Sequence, residues 1–98
     1  MSDGQPAWTL HDFEMHLDVW IQSEEPSQDL VCVVAAWMVG RVDDPYQGVQ
    51  RENSMPNLWF GPIPGTDQFE TVVTCSYFIE ESTRSVKCVA VATLNRPV

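Results

Sequence analysis

Hydrophobic and polar residues alternate along this chain with two different periods, and the changes of period mark its predicted elements. Residues 7–10 have the pattern of a short strand, with Trp8 and Leu10 on one face. From Asp12 the apolar residues recur at the three- and four-residue spacing of a helix, at Phe13, Leu17, Trp20 and Ile21. Asp12 is a suitable N-cap for this helix, and Pro26 ends it because proline cannot continue the hydrogen-bond ladder.

A second helix is predicted directly after the first. Ser27 is a good N-cap, and residues 30–39 are apolar without a break. The β-branched residues of this run also suit a buried strand, but its length and the cap favour a helix. A helix that is apolar all round must be covered on several sides, so we expect Cys32 within it to be buried. Gly40 and the sequence Asp43-Asp44-Pro45 end it.

The second half of the chain has the alternation of an antiparallel sheet. Residues 45–57 form a long polar loop, Leu58-Trp59-Phe60 a strand, and residues 62–67 a turn. In residues 69–80 one face holds Phe69, Val73, Cys75, Tyr77 and Ile79. In residues 85–94 one face holds Val86, Cys88, Ala90, Ala92 and Leu94. The pattern predicts an α+β fold: a short first strand, two helices, then an antiparallel β-meander.

Length and hydropathy limit the class of protein. The 98 residues suit a single domain, over residues 7–98, with a disordered polar tail at residues 1–6. No apolar stretch reaches the ~18–20 residues that a membrane span needs. The start of the chain lacks the basic and apolar regions of a signal peptide. We therefore expect a cytoplasmic protein without a membrane partner.

Charge is the strongest compositional feature. Fourteen acidic residues against five basic ones give a net charge of −9. Residues 1–49 hold nine acids and one base, whereas residues 50–98 hold five acids and four bases. Proteins bind a phosphate backbone mainly by neutralising it with Lys and Arg, so the first half should repel nucleic acid. Either nucleic acid is not the partner, or only the second half meets it. The alternative explanation is a solvated acidic surface that aids solubility.

Motifs for catalysis, cofactors and metals are lacking in the sequence. No glycine-rich phosphate loop or known nucleophile motif occurs, and the three cysteines lack the spacing of a zinc site. We therefore predict no cofactor and no metal. Cys75 and Cys88 are placed to face each other across a hairpin, where a cytoplasmic location favours free thiols. His11 and His16 are expected at the surface.

Three groups of residues are candidates for an interaction or a site. Trp59 and Phe60 follow the long loop and belong either to the core or to an exposed anchor for a partner. Acidic pairs flank the helix ends, at Glu24, Glu25, Asp43 and Asp44. The basic residues of the second half either line one sheet face or are scattered over the surface.

The order of elements resembles the RelE/ParE toxin superfamily, and three stretches carry the resemblance. The second helix closes on Val42-Asp43-Asp44-Pro45-Tyr46, similar to the acidic-proline step that often ends that helix in the family. Leu58-Trp59-Phe60 resembles the next family strand. The hairpin of residues 72–81 and 85–91 resembles the last two, in which an aromatic residue leads into an acidic turn.

The resemblance implies a toxin that cleaves messenger RNA on the ribosome or poisons gyrase, silenced by an antitoxin wrapped over it. Family members that cleave RNA are usually basic and carry a Tyr-Arg pair where this chain has Phe69-Glu70-Thr71. They often end in a catalytic Tyr or His, where this chain has Arg96-Pro97-Val98. Cleavage requires a base and positioned cations. The candidates here are Arg51, Lys87 and Arg96.

These observations lead to three hypotheses. The first is a RelE/ParE-like domain without nuclease activity that binds a protein partner, antitoxin-like or other, through its acidic helical half and the Trp59-Phe60 strand. The second is a ribosome-dependent endoribonuclease of a type II toxin–antitoxin pair. The third is an acidic mimic of nucleic acid. The sequence also leaves a homodimer open.

Overall fold

The fold consists of two helices packed on one side of a five-stranded sheet. A computed structural model describes residues 7–95, so the predicted tail at residues 1–6 and Arg96 lie outside the described residues. The elements in chain order are β1 (Thr9–His11), α1 (Phe13–Glu24), α2 (Gln28–Val39), β2 (Gln50–Arg51), β3 (Leu58–Pro62), β4 (Thr71–Glu80) and β5 (Ser85–Asn95). Short 3₁₀ turns occupy Gly40–Val42 and Thr66–Phe69. The predicted α+β order is confirmed, with β2 as an additional strand inside the predicted loop.

The strands form one sheet in the order β1-β5-β4-β3-β2. All neighbouring pairs are antiparallel except β1 and β5, which are parallel. The first strand of the chain therefore pairs with the last, and Leu10 lies beside Val86. This pairing brings the beginning of α1 against the centre of the sheet, where Phe13 contacts the ring of Tyr77.

The two predicted N-caps have different outcomes. Ser27 caps α2 as predicted, because its hydroxyl oxygen accepts a hydrogen bond from the backbone N–H of Leu30 at 3.2 Å. Asp12 occupies the N-cap position of α1, but its side chain accepts no capping bond and its backbone is left-handed, with φ of 65°. The left-handed backbone of Asp12 forms the sharp turn from β1 into α1. The prediction of a side-chain cap is wrong.

The core lies between the helices and the sheet. Helix α1 buries Phe13 and Trp20, and the Trp20 indole N–H donates to the hydroxyl of Thr93 at 2.7 Å. Helix α2 buries the stripe Leu30, Val34 and Met38. The opposite side of α2 is open: Cys32 is exposed, so the prediction that Cys32 is buried is wrong. Because α2 is apolar on all sides in sequence, its sequence did not indicate which side packs on the sheet.

A β-bulge changes which side chains of β5 face the helices. Tyr77 pairs with Cys88 and Ser76 pairs with Ala90, so Val89 is the extra residue on β5. Before the bulge, Val86 and Cys88 are buried as predicted. Beyond it the alternation is reversed, and Ala90, Ala92 and Leu94 face away from the helices. The predicted common face for β5 is therefore wrong after Cys88. Phe69, predicted to lie in the strand, belongs to the 3₁₀ turn before β4.

Candidate functional site

The sheet surface that faces away from the helices is the first candidate surface, and we call it the open sheet face. Tyr77 and the other buried residues of β4 point toward the helices, so their strand neighbours and the residues paired with them point outward. The open sheet face consists of Thr9, His11, Gln50, Leu58, Phe60, Pro62, Val72, Thr74, Ser76, Phe78, Glu80, Ser85, Lys87, Ala90, Ala92 and Leu94. Phe60 and Phe78 are half-buried, and Leu94 is 54% exposed. Its apolar residues lie on β3, β4 and β5, whereas β1 and β2 contribute only polar ones.

Lys87 is the one Lys or Arg among the described residues on the open sheet face. Its ammonium lies 3.9 Å from the carboxylate of Asp12, and both side chains are solvent-accessible. Its β1 neighbour on the same face is His11. Arg51 pairs with Trp59, which pairs with Tyr77, so Arg51 lies on the helix-facing side of the sheet. Two strands separate the strands of Arg51 and Lys87, about 14 Å at ordinary strand spacing. These two predicted cations do not converge.

Two other arginines are committed to contacts inside the fold. Arg41 is only 3% exposed, and its guanidinium lies 4.1 Å from the centre of the Trp37 ring. It donates to the carbonyls of Trp37 at 3.2 Å and Gln47 at 2.7 Å, and to the Tyr77 hydroxyl at 3.5 Å. Arg41 therefore ties the end of α2 to the following loop and the sheet. This role of Arg41 was not predicted, although Trp37 four residues earlier was a signal for stacking.

Arg84 is placed by the hairpin between β4 and β5. Its backbone is left-handed, with φ of 48°, and its guanidinium lies 4.4 Å from the centre of the Trp8 ring. Its backbone carbonyl accepts from the N–H of Thr9 at 2.9 Å, which starts the pairing of β1. Arg84 thus supports the parallel strand pair at the edge of the sheet.

Trp59 and Phe60 lie on opposite faces of β3. Trp59 packs edge-to-face on Tyr46, with ring centres 5.0 Å apart, and is half-buried on the helix side. Tyr46 in turn donates a short hydrogen bond to Glu81 and packs on Trp8. Burial and the bond to Glu81 raise the pKa of Tyr46 to about 12. Trp59 belongs to this aromatic cluster, so Phe60 alone contributes to the open sheet face.

The acidic pairs do not form one surface. Glu24 and Glu25 lie at the turn between the helices, and Asp43 and Asp44 follow the 3₁₀ turn after α2. Helix α2 separates the two pairs, and its 12 residues span about 18 Å. All four side chains are exposed. They lie at opposite ends of the helical layer.

A cleft between the two helices is the second candidate surface, and we call it the helix groove. Its volume is about 830 Å³ and it opens to solvent. The more buried part of its lining is apolar and comes from β1, α1 and α2, at Leu10, Phe13, Leu17, Ala35 and Met38. This surface was not predicted, because the unbroken apolar run of α2 gave no sign of which side stays uncovered.

The rim of the helix groove combines exposed apolar and acidic side chains. Val39 is 66% exposed, Val19 58% and Met15 52%, all unusually high for such residues. The acids of the lining are Asp12, Glu14 and Asp18, and no Lys or Arg lines it among the described residues. The groove is thus an apolar trough within a negative field.

The thiols and potential metal ligands of the described residues differ in burial and spacing. The sulfur atoms of Cys75 and Cys88 lie 3.9 Å apart in the core, and both cysteines are free. The contact with Cys88, together with burial, raises the pKa of Cys75. A protonated thiol is a poor nucleophile. Within residues 7–95 no three potential metal ligands come together, and no helix is long and apolar enough to cross a bilayer.

Comparison with known proteins identifies the fold. No protein-family model and no curated protein sequence matches the chain. A solved structure, that of a double arginine-to-alanine mutant of the Escherichia coli toxin RelE in the free state, superposes with a TM-score of 0.61. The match covers 88% of this chain and 82% of that chain, at 14% sequence identity. The chain has a RelE-like fold, and the predicted resemblance is confirmed at this level.

Proposed function

We propose that this chain is a RelE-like domain that acts by binding a polypeptide and does not cleave RNA. The observation that carries the proposal is the composition of the open sheet face, which holds a single described Lys or Arg, Lys87. A site that transfers phosphate needs several cations around the charge that develops in the transition state. Lys87 is already partly neutralised by Asp12.

The positions of the other cations support the same conclusion. Arg41 is buried, Arg84 stacks on Trp8, and Arg51 lies on the other side of the sheet from Lys87. The whole chain carries a net charge of −9, so its long-range field opposes the approach of a polyanion. A polypeptide partner, antitoxin-like or other, that is not itself strongly acidic meets no such barrier and gains from covering exposed apolar surface.

One observation favours the alternative, a ribosome-dependent endoribonuclease. His11 and Lys87 are neighbours on the open sheet face, and a histidine beside a cation is a pair that general acid–base catalysis uses. The RelE-like fold adds to this alternative. The two functions therefore need an experiment that separates them.

The test is expression of the full chain in a bacterial host, with growth and the 5′ ends of cellular transcripts followed together. We expect no new transcript ends. A matched set of variants, His11→Ala, Lys87→Ala, Arg51→Ala and Arg96→Ala, identifies which cation or base any cleavage depends on. Growth arrest with cleavage that any of these four variants abolishes, while that variant stays folded, overturns the proposal.

A further inference from the structure

The helix groove has the shape and charge of a docking site. Its apolar lining extends along α1 from Phe13 to Val19 and faces the last turns of α2 at Ala35 and Val39. The lining residues of α1 from Asp12 to Gln22 span about 15 Å, the length of roughly three helical turns. Exposed Val39, Val19 and Met15 leave this lining in contact with water. A partner that covers them gains hydrophobic free energy.

The charge of the groove selects the kind of partner. Asp12, Glu14 and Asp18 line it, Lys87 offsets only Asp12, and the chain as a whole is acidic. Opposite charges across an interface speed association and exclude partners of the wrong sign. A helix with an apolar stripe and basic flanks matches both the lining and the field. An acidic helix with the same stripe meets repulsion.

We propose that the helix groove receives an amphipathic helix of another protein, about three turns long, whose apolar stripe is flanked by Lys and Arg. This inference rests on the proposed function and assigns that function a surface and a partner chemistry. The contact is the helix-in-groove mode, in which apolar residues at i, i+3 or i+4, and i+7 enter the trough. The basic flanks of the partner lie beside the groove carboxylates.

An unbiased selection tests the partner chemistry. The probe is a display library of helical peptides of unrestricted composition, about 18 residues long so that a three-turn contact fits within it. The full chain serves as bait. We expect the enriched peptides to share an apolar stripe at helical spacing and a clear excess of Lys and Arg beside it. Enriched peptides that lack this basic excess overturn the proposal.

Two variants with identical charge changes then locate the contact. Val39→Lys places a cation at the rim of the groove, whereas Leu94→Lys makes the same substitution on the open sheet face; both residues are exposed. For a selected basic peptide we expect about tenfold weaker binding by Val39→Lys and less than about twofold change by Leu94→Lys. Ala35→Trp, which fills the trough, should also weaken binding. If Ala35→Trp fails to fold, the exposed Val39→Lys decides alone.

The outcomes separate this inference from the proposed function. Peptides whose binding is lost in Leu94→Lys but kept in Val39→Lys show docking on the sheet, which overturns the groove and leaves polypeptide binding intact. Dimerisation of the chain that Val39→Lys abolishes, measured by sedimentation, assigns the groove to a second copy and also overturns the inference. Transcript cleavage in the expression experiment overturns the proposed function itself.

Discussion

Replacement of Arg41 by methionine tests whether a buried cation without a carboxylate partner stabilises this fold. The guanidinium of Arg41 makes two well-formed hydrogen bonds, to the carbonyls of Trp37 and Gln47, and a longer one to the Tyr77 hydroxyl. Among the described residues the structure records no ion pair for it, so burial of the charge is compensated by carbonyl dipoles and by the Trp37 ring. Arg41→Met keeps the length and apolar packing of the side chain but removes the donors.

The expected loss of stability follows from opposing contributions. Each hydrogen bond from a charged donor contributes about 1.5–3 kcal/mol, and a carbonyl left without its donor costs about 1–3 kcal/mol. Removal of the buried charge offsets part of this loss of stability, because the desolvation penalty of the guanidinium also disappears. We expect Arg41→Met to lower the free energy of unfolding by about 2–4 kcal/mol. For a domain of this size the melting temperature should fall by roughly 10–25 °C.

The assay is urea denaturation followed by tryptophan fluorescence, with thermal unfolding as a second measurement. Arg41→Lys is the matched control: it keeps the charge but replaces a planar fork of donors by a point charge, so it should recover only part of the loss. A variant Arg41→Met that is as stable as the wild type, or more stable, refutes the reasoning. That result would show that the buried Arg41 cation lowers the stability of the fold and does not stabilise the loop after α2.

Three further predictions concern titration, reactivity and packing. The chain has two tyrosines; the pKa of Tyr46 is raised to about 12, and burial raises the pKa of Tyr77. The stability that these two groups contribute should be fully present below pH ~10 and be lost as the pH rises toward 12, and phenolate absorbance should appear at higher pH in the native protein than in the unfolded chain. Two tyrosines that titrate near pH 10 in the native protein contradict this. In the native state only Cys32 should react rapidly with a thiol-reactive disulfide reagent, and the buried pair only after unfolding; a second fast thiol contradicts the packing. Gly61→Ala should lower the free energy of unfolding by about 1–3 kcal/mol in urea denaturation, because the new Cβ would lie 2.8 Å from a backbone carbonyl of the loop before β2. Gly40→Ala is the control and should be close to neutral, because the space around Gly40 is open. Equal effects of the two substitutions contradict this.

The elements that were predicted correctly are those that depend on residues close together in the sequence. The helical spacing from Phe13 to Ile21 and the Ser27 cap predicted both helices, and strict alternation predicted β4. The resemblance to the RelE/ParE superfamily, drawn from the order of these elements, was confirmed at the level of fold. Such features depend on neighbours in the chain, which the sequence displays directly.

The features that escaped prediction depend on contacts between distant residues. The parallel pairing of β1 with β5 and the bulge at Val89 are set by the sheet, and neither has a sequence signal in this chain. The exposure of Cys32 follows from which side of α2 meets the sheet, and a helix with apolar residues all round does not reveal that side. The same ambiguity concealed the helix groove. Burial of Arg41 required a partner surface built from three separate segments.

The central claim is that this RelE-like domain does not bind a polyanion. Its most direct test uses the purified chain and a fluorescently labelled single-stranded RNA of about 20 nucleotides. Binding is followed by fluorescence anisotropy at low salt, where phosphate contacts are strongest. We predict no saturable binding up to about 100 μM protein, the weak end of the range of non-specific binding to nucleic acid. Saturation at low micromolar protein, weakened steeply by added salt and abolished in Lys87→Ala, would contradict the claim.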